Sequence, residues 1–151
     1  MSKINYVKGD ATNPQGEGNK VIAHVCNNKG KWGAGFVLAL SKKWSEPETE
    51  YRAIPPKYHE LGFVQFVRVE EDITVVNMIA QQDVKSNENE RPLRYDALID
   101  ALIKVNEYCQ QRQCTLHMPK IGSGLAGGNW NIIEKIIEEN VQVPVTVYEF
   151  D

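Results

Sequence analysis

Two short loops gather most of the glycine in this chain: Gly33-Ala34-Gly35 and Gly122-Ser123-Gly124-Leu125-Ala126-Gly127-Gly128 hold six of its eleven glycines. Glycine at a strand-to-helix turn lets an anion approach backbone amides closely, so a pair of such loops is suited to embracing a diphosphate from two sides. Upstream of the first loop, the stretch VIAHVCNNKGKWGAGF from Val21 to Phe36 places His24, Asn27 and Asn28 toward the end of an apolar run. Amide side chains there can hold hydroxyl groups, and an imidazole can move protons. Trp32 is suited to covering a ligand or to anchoring the loop. Asp10 follows another apolar run and can accept from an exocyclic amine or close a turn.

Other chemistries fit less well. Gly122, Gly124 and Gly127 match G-x-G-x-x-G with Glu149 beyond them. Too little chain follows, however, for a dinucleotide fold built of two βαβαβ halves. No Lys-Ser/Thr pair follows either loop, which excludes a P-loop. His24, His59 and His117 lack metal-ligand spacing, so no metal and no cofactor are expected. Cys26, Cys109 and Cys114 are not followed at the sixth position by arginine, which rules out a Cys-x5-Arg phosphatase.

Elements that position these residues can be read from periodicity. Apolar runs rich in β-branched residues at Ile4 to Val7, Val21 to Cys26, Phe63 to Val69, Ile73 to Ala80, Thr115 to Met118 and Val143 to Phe150 predict six strands. Glu70-Glu71-Asp72 is short enough to make the third and fourth an antiparallel hairpin. Leu98, Ala101, Leu102, Val105, Tyr108 and Cys109 form one face of a helix within Leu93 to Arg112. A second helix carries Ile132, Ile133, Ile136 and Ile137, with Asn131 and Glu134 placed as cap and N3 partner. Gly35 to Trp44 reads as a buried helix, and Ser45 as the cap of a short one ending at Pro55-Pro56. Interleaved strands and helices predict an α/β fold, a three-layer α/β/α sandwich around a mixed six-stranded sheet.

The chain has 151 residues and a net charge of −3, which fits one domain over 1–151 and argues against a duplex nucleic-acid partner. An odd cysteine count suits a reducing cytoplasmic setting. Neither a signal-peptide core nor a membrane span is visible in the sequence. The polar stretch Val84 to Arg91 is the expected solvated loop.

Taken together, Gly9-Asp10, His24-Val25-Cys26-Asn27-Asn28, Trp32-Gly33-Ala34-Gly35, Met118-Pro119-Lys120-Ile121-Gly122-Ser123-Gly124-Leu125 and Val145-Thr146-Val147-Tyr148 resemble a macrodomain, the ADP-ribose-binding α/β module, over nearly the whole chain. The likeness is to the branch holding the yeast ADP-ribose-1''-phosphate phosphatase and the mammalian terminal ADP-ribose glycohydrolase. It implies that Asp10, with Ala11 beside it, receives the adenine amino group and that Asn27 and Asn28 lie near the distal ribose. By the same resemblance Gly33, Ala34, Gly35 and Phe36 form one phosphate loop, and Gly122, Ser123, Gly124, Leu125, Ala126 and Gly127 the other. Tyr148 or Phe150 would flank adenine. Where the glycohydrolase-type members carry a catalytic lysine and aspartate, this chain has Gln81-Gln82 and Ala126, so that route is not expected.

The expected activity is a metal-free hydrolysis of ADP-ribose-1''-phosphate or a related derivative, with water as nucleophile, His24 as proton-transfer group and Asn27 positioning the ribose. Three alternatives remain: a non-catalytic reader of free or protein-linked ADP-ribose, a mono-ADP-ribosyl-protein hydrolase working by another route, and an interaction module. ADP-ribosylated protein is the partner that the first two imply.

Overall fold

The computed structural model describes residues 4–150. Its strands are β1 (Ile4–Lys8), β2 (Lys20–Asn27), β3 (Val64–Glu70), β4 (Ile73–Gln81), β5 (Thr115–Pro119) and β6 (Val145–Glu149). The helices are α1 (Phe36–Lys43), α2 (Glu46–Arg52), α3 (Tyr95–Arg112) and α4 (Trp130–Asn140). They form the expected α/β architecture, a mixed six-stranded sheet in the order β1-β6-β5-β2-β4-β3. Only β3 runs antiparallel, joined to β4 by the hairpin at Glu71-Asp72.

Strand alternation sorts the core into two layers. In β2, Val21 and Ala23 pack with α3 and α4, whereas Ile22 and Cys26 pack with α1 and α2. A central parallel strand is covered on both faces, which is why the Val21 to Cys26 run reads as nearly continuous apolar sequence. The amphipathic face foreseen for α3 is buried through Leu98, Ala101, Leu102, Val105 and Cys109.

Local expectations are corrected in five places. Helix α1 is buried on one side only, at Val37 and Leu40, while Leu38 is 51% exposed. Its run of apolar residues faces a groove as well as the core. Helix α4 is capped by Asn129 rather than Asn131: the Asn129 side chain accepts from the Asn131 amide, and Glu134 bonds Tyr6 instead of closing a capping box. Ser45 sits at the cap position of α2 but makes no side-chain cap bond, because its own backbone is already helical. Pro144 and Phe150 fall outside β6. Lastly, the Val84 to Arg91 loop is more than a solvated connector. Ser86 and Asn89 exchange backbone bonds, and Asn89 Nδ2 donates to the carbonyls of Gln82 and Val84.

Candidate functional site

Parallel strands direct their carboxyl ends, and the loops that follow, to one edge of the sheet. There a groove runs across β1, β6, β5, β2 and β4 as three adjoining hollows. One of about 260 Å³ lies between Asp10, Tyr148, Phe36 and Phe150. The central one, about 220 Å³, has His24 and Gln81 in its floor and Ala34 to Val37 and Gly122 to Ala126 along its sides. The distal one, about 410 Å³, is bounded by Asn27, Trp32, Gly33 and Val84.

The first glycine loop is held by side chains. Asn27 Oδ1 accepts from the amides of Lys29 (2.9 Å) and Lys31 (3.1 Å), and its Nδ2 donates to the Lys31 carbonyl (2.7 Å). The buried Tyr51 hydroxyl lies 2.6 Å from the Asn27 carbonyl and 2.9 Å from Oδ1. Trp32 donates to Ser41 Oγ (2.8 Å), which donates in turn to Glu48. Arg52 bonds Glu48 and reaches the carbonyls of Gly30 and Trp32. Helices α1 and α2 therefore splint this loop from outside the sheet.

The second loop is held by backbone and by close packing. Gly128 donates to the Gly122 carbonyl (2.7 Å), Gly127 to Gly124 (3.0 Å), and Leu93 to Ala126 (3.1 Å). A Cβ at Gly128 would stand 2.4 Å from Leu93 Cδ2 and 2.6 Å from the Gly122 carbonyl oxygen. Gly122 adopts φ +70°, the left-handed region that only glycine enters without strain.

Toward the groove both loops are open. A Cβ on Gly33 or Gly124 would meet nothing within 4 Å. Among the described residues, the amides of Gly33, Ala34, Gly35, Gly124, Leu125 and Ala126 donate to no protein acceptor. The loops approach one another where Leu125 Cδ1 lies 3.7 Å from the position of a Gly35 Cβ. Residues with unpaired amides from both loops thus line one hollow, an arrangement suited to holding an anion with fixed dipoles rather than side-chain charge.

His24 is 2% exposed and its Nε2 lies 2.6 Å from Asn77 Oδ1. Asn77 Nδ2 donates to Pro47 and Gln65, so its Oδ1 is the acceptor and His24 carries its proton on Nε2. Burial lowers the His24 pKa to about 4, partly opposed by the Asn77 bond, so the ring is neutral at pH 7. Burial also pushes the Cys26 thiol up, keeping it protonated.

The remaining expected residues are placed as follows. Asp10 Oδ1 accepts from the Thr12 amide and hydroxyl, both at 2.8 Å, which turns the chain and fixes the carboxylate at the groove's first hollow beside the buried Ala11. Tyr148 is 2% exposed, and its hydroxyl accepts from the Gln15 amide (2.7 Å) and contacts His117 Nδ1 (2.8 Å). Phe150, at 79% exposure, stands at the mouth. Asn28 bonds Gln82 Oε1 and the Asp83 amide, tying the first loop to the segment after β4. Both asparagines thus spend their amides on the protein. Sequence reasoning missed Tyr51 and Asn77, whose partners lie in distant elements and leave no local signal. Gln81, present in the sequence reading only as a replacement, lines the central and distal hollows. Among the described residues, no three His, Cys, Asp or Glu side chains cluster as metal ligands, and no helix is long and apolar enough to cross a membrane.

No family model matches the chain. A protein of unknown function from Bacteroides thetaiotaomicron has a similar structure, with 48% identity, a TM-score of 0.93 and 98% of each chain covered. A macrodomain protein from Streptomyces coelicolor is 44% identical at a TM-score of 0.84, over 97% of this chain and 98% of that one. The ADP-ribose 1''-phosphate phosphatase of Candida albicans is 29% identical over 96% of this chain and 98% of its own length. A zebrafish (Danio rerio) chromodomain-helicase-DNA-binding protein 1-like is 31% identical over 91% of this chain, which spans only 14% of that relative. With the loops, the sheet order and this likeness in agreement, the chain belongs to the macrodomain family, in the branch that includes the ADP-ribose 1''-phosphate phosphatases.

Proposed function

We propose that the groove binds ADP-ribose and that the protein hydrolyses the phosphomonoester of ADP-ribose 1''-phosphate. The observation that carries this reading is the meeting of two sets of unpaired amides, on Ala34 and Gly35 and on Gly124 to Ala126, around one central hollow, with Gly33 at the edge of the distal one. In this arrangement the diphosphate lies between the loops, adenine enters beside Asp10 and Tyr148, and the distal ribose enters beside Trp32 and Gln81. Asp10 accepts from the adenine amine, and Phe36 and Phe150 supply apolar contact.

Hydrolysis transfers phosphorus from the 1'' oxygen to water, releasing inorganic phosphate and ADP-ribose. Because the His24 Nε2 proton is held by Asn77, Nδ1 is the ring atom left to accept a proton, beside the Cys26 thiol at 3.9 Å and next to the central hollow. A neutral ring accepts a proton, though with a pKa near 4 it is a weak base, so orientation of the water supplies much of the effect. Asn27 acts here by shaping the loop, its Oδ1 accepting from two amides and one Nδ2 hydrogen held by the Lys31 carbonyl. A second reading, a non-catalytic reader of free or protein-linked ADP-ribose, is favoured by the lining of the central hollow, where Gln81 and Ala126 offer an amide and a methyl group, neither of them a base. Assays with ADP-ribose 1''-phosphate, O-acetyl-ADP-ribose and ADP-ribosylated protein separate the two. Phosphate release from the first, reduced in His24→Ala without loss of ADP-ribose affinity, is expected; binding without turnover of any of the three makes the protein a reader.

A further inference from the structure

A chain of net charge −3 gives no reason to expect a cationic site, yet two lysines line the distal hollow. Lys31 comes from the loop after β2 and Lys85 from the loop after β4. Their positions are fixed by the same bonds that join those loops, Asn28 to Gln82 and to the Asp83 amide. Lys31 Nζ is 3.4 Å from Asp83 Oδ1, and both side chains are about half in water, at 58% and 42% exposure. That carboxylate oxygen is already engaged by the Val84 amide at 2.8 Å, and Lys29 adds a second cationic influence on it. Among the described residues Lys85 has no anionic partner. Among the described residues that line this hollow, Lys31 and Lys85 carry charge and no carboxylate does. The hollow, about 410 Å³ against 220 Å³ for the central one, also has room beyond a ribose.

Resting on the function proposed above, we infer that Lys31 and Lys85 form a subsite for a terminal phosphomonoester and set the preference for ADP-ribose 1''-phosphate over ADP-ribose. With the diphosphate between the glycine loops, the distal ribose enters this hollow and its 1'' substituent comes within reach of both walls. An exposed, singly shared pair such as Lys31–Asp83 holds its lysine weakly, so a phosphate dianion can recruit it. Division of labour follows. Backbone amides bind the part common to every ADP-ribose derivative, and lysines read the part that differs.

The test is displacement of a fluorescent ADP-ribose by unlabelled ADP-ribose and by ADP-ribose 1''-phosphate, read by stopped flow before turnover. Wild type is compared with Lys31→Met, Lys85→Met, the double Met variant and the double Arg variant. Wild type should favour the phosphorylated ligand by about tenfold. The double Met variant should lower that ratio to within about twofold while keeping ADP-ribose affinity, the Arg variant should retain the preference, and added salt should erode it. Normal ADP-ribose binding with no preference in wild type, or a preference that survives the double Met variant, overturns this inference alone. Failure of wild type to bind ADP-ribose at all overturns the functional reading and this inference with it.

Discussion

The two glycine loops reach the same ligand-facing geometry by opposite means. The first is splinted by side chains of Asn27, Tyr51, Trp32 and Arg52, supplied by the end of β2, the loop itself and helix α2. Glycines at 122, 127 and 128 let the second fold tightly against Leu93 and the Glu90 carbonyl. In each, only some glycines serve the groove. Gly33 and Gly124 leave space open, whereas Gly128 fills a space in which even a methyl group clashes. Glycine content alone therefore conflates two roles, internal packing and access for a ligand.

Two histidines are buried in neutral form in the strands that lead to the loops, and acid destabilises the fold through them. His24 lies under Trp32 and Phe36 at centroid distances of 5.4 and 5.9 Å. His117 lies on β5, the strand leading to the second loop, with its pKa also lowered to about 4, first by burial and then by Lys20. Each folded-state value lies below the ordinary 6.5, so the unfolded chain binds the proton first. Stability is complete above about pH 6.5 and is lost as pH falls toward 4. Each ring contributes up to about 3 kcal/mol to that loss. Urea unfolding at pH 7.5 and 4.5 measures it, and equal stability at the two values contradicts the burial of both rings in neutral form.

Gly128→Ala should damage the second loop through its packing. The new Cβ meets Leu93 and backbone, so a cost of roughly 3 kcal/mol is expected, or a fall of about 10 °C in the thermal midpoint. An unchanged midpoint would show that the loop yields. Asn27→Ala removes the acceptor for the Lys29 and Lys31 amides and the donor to the Lys31 carbonyl, while the Tyr51 hydroxyl keeps the main-chain carbonyl of residue 27. It should cost about 2 kcal/mol and weaken ligand binding, because the first loop loses its splint. Trp32→Phe deletes the bond to Ser41 and part of a buried ring that packs on His24 and Tyr51, and a stability change of roughly 1 to 2 kcal/mol is expected. A larger loss of affinity than of stability there would make Trp32 a ligand contact in addition to an anchor.

The fold was legible where one physical pattern dominated. Strand β2 is covered on both faces and reads as nearly continuous apolar sequence from Val21 to Cys26, broken only by His24, and α3 is half-buried and shows its 3.6-residue period. Helix α1 misled because an apolar residue facing solvent, such as Leu38, or the groove, such as Phe36 and Ala39, has the same letter as one facing the core. The cap of α4 could not be chosen from sequence, since Asn129 and Asn131 are equally good acceptors. The bond from Gly128 to Gly122 sets where the helix starts. In the site, the loops were visible from glycine spacing, but Asn27 and Asn28 could be seen only as amides near a strand end. Whether an amide faces a ligand or its own loop depends on partners such as Tyr51 and Gln82, which come from other segments. Strand alternation carried an ambiguity at Tyr148 and Phe150 that packing resolved, burying the first and exposing the second.

The smallest structural change gives the most direct test of the site. Gly124→Ala places a methyl group in open space beside unpaired amides, at a glycine whose backbone other residues can adopt. Calorimetric titration of ADP-ribose into wild type should give saturable one-to-one binding. The Gly124→Ala protein should melt at the wild-type temperature yet bind at least about tenfold more weakly. Wild type that fails to bind ADP-ribose at millimolar concentration, or a variant that binds as well as wild type, contradicts a diphosphate held between the two loops.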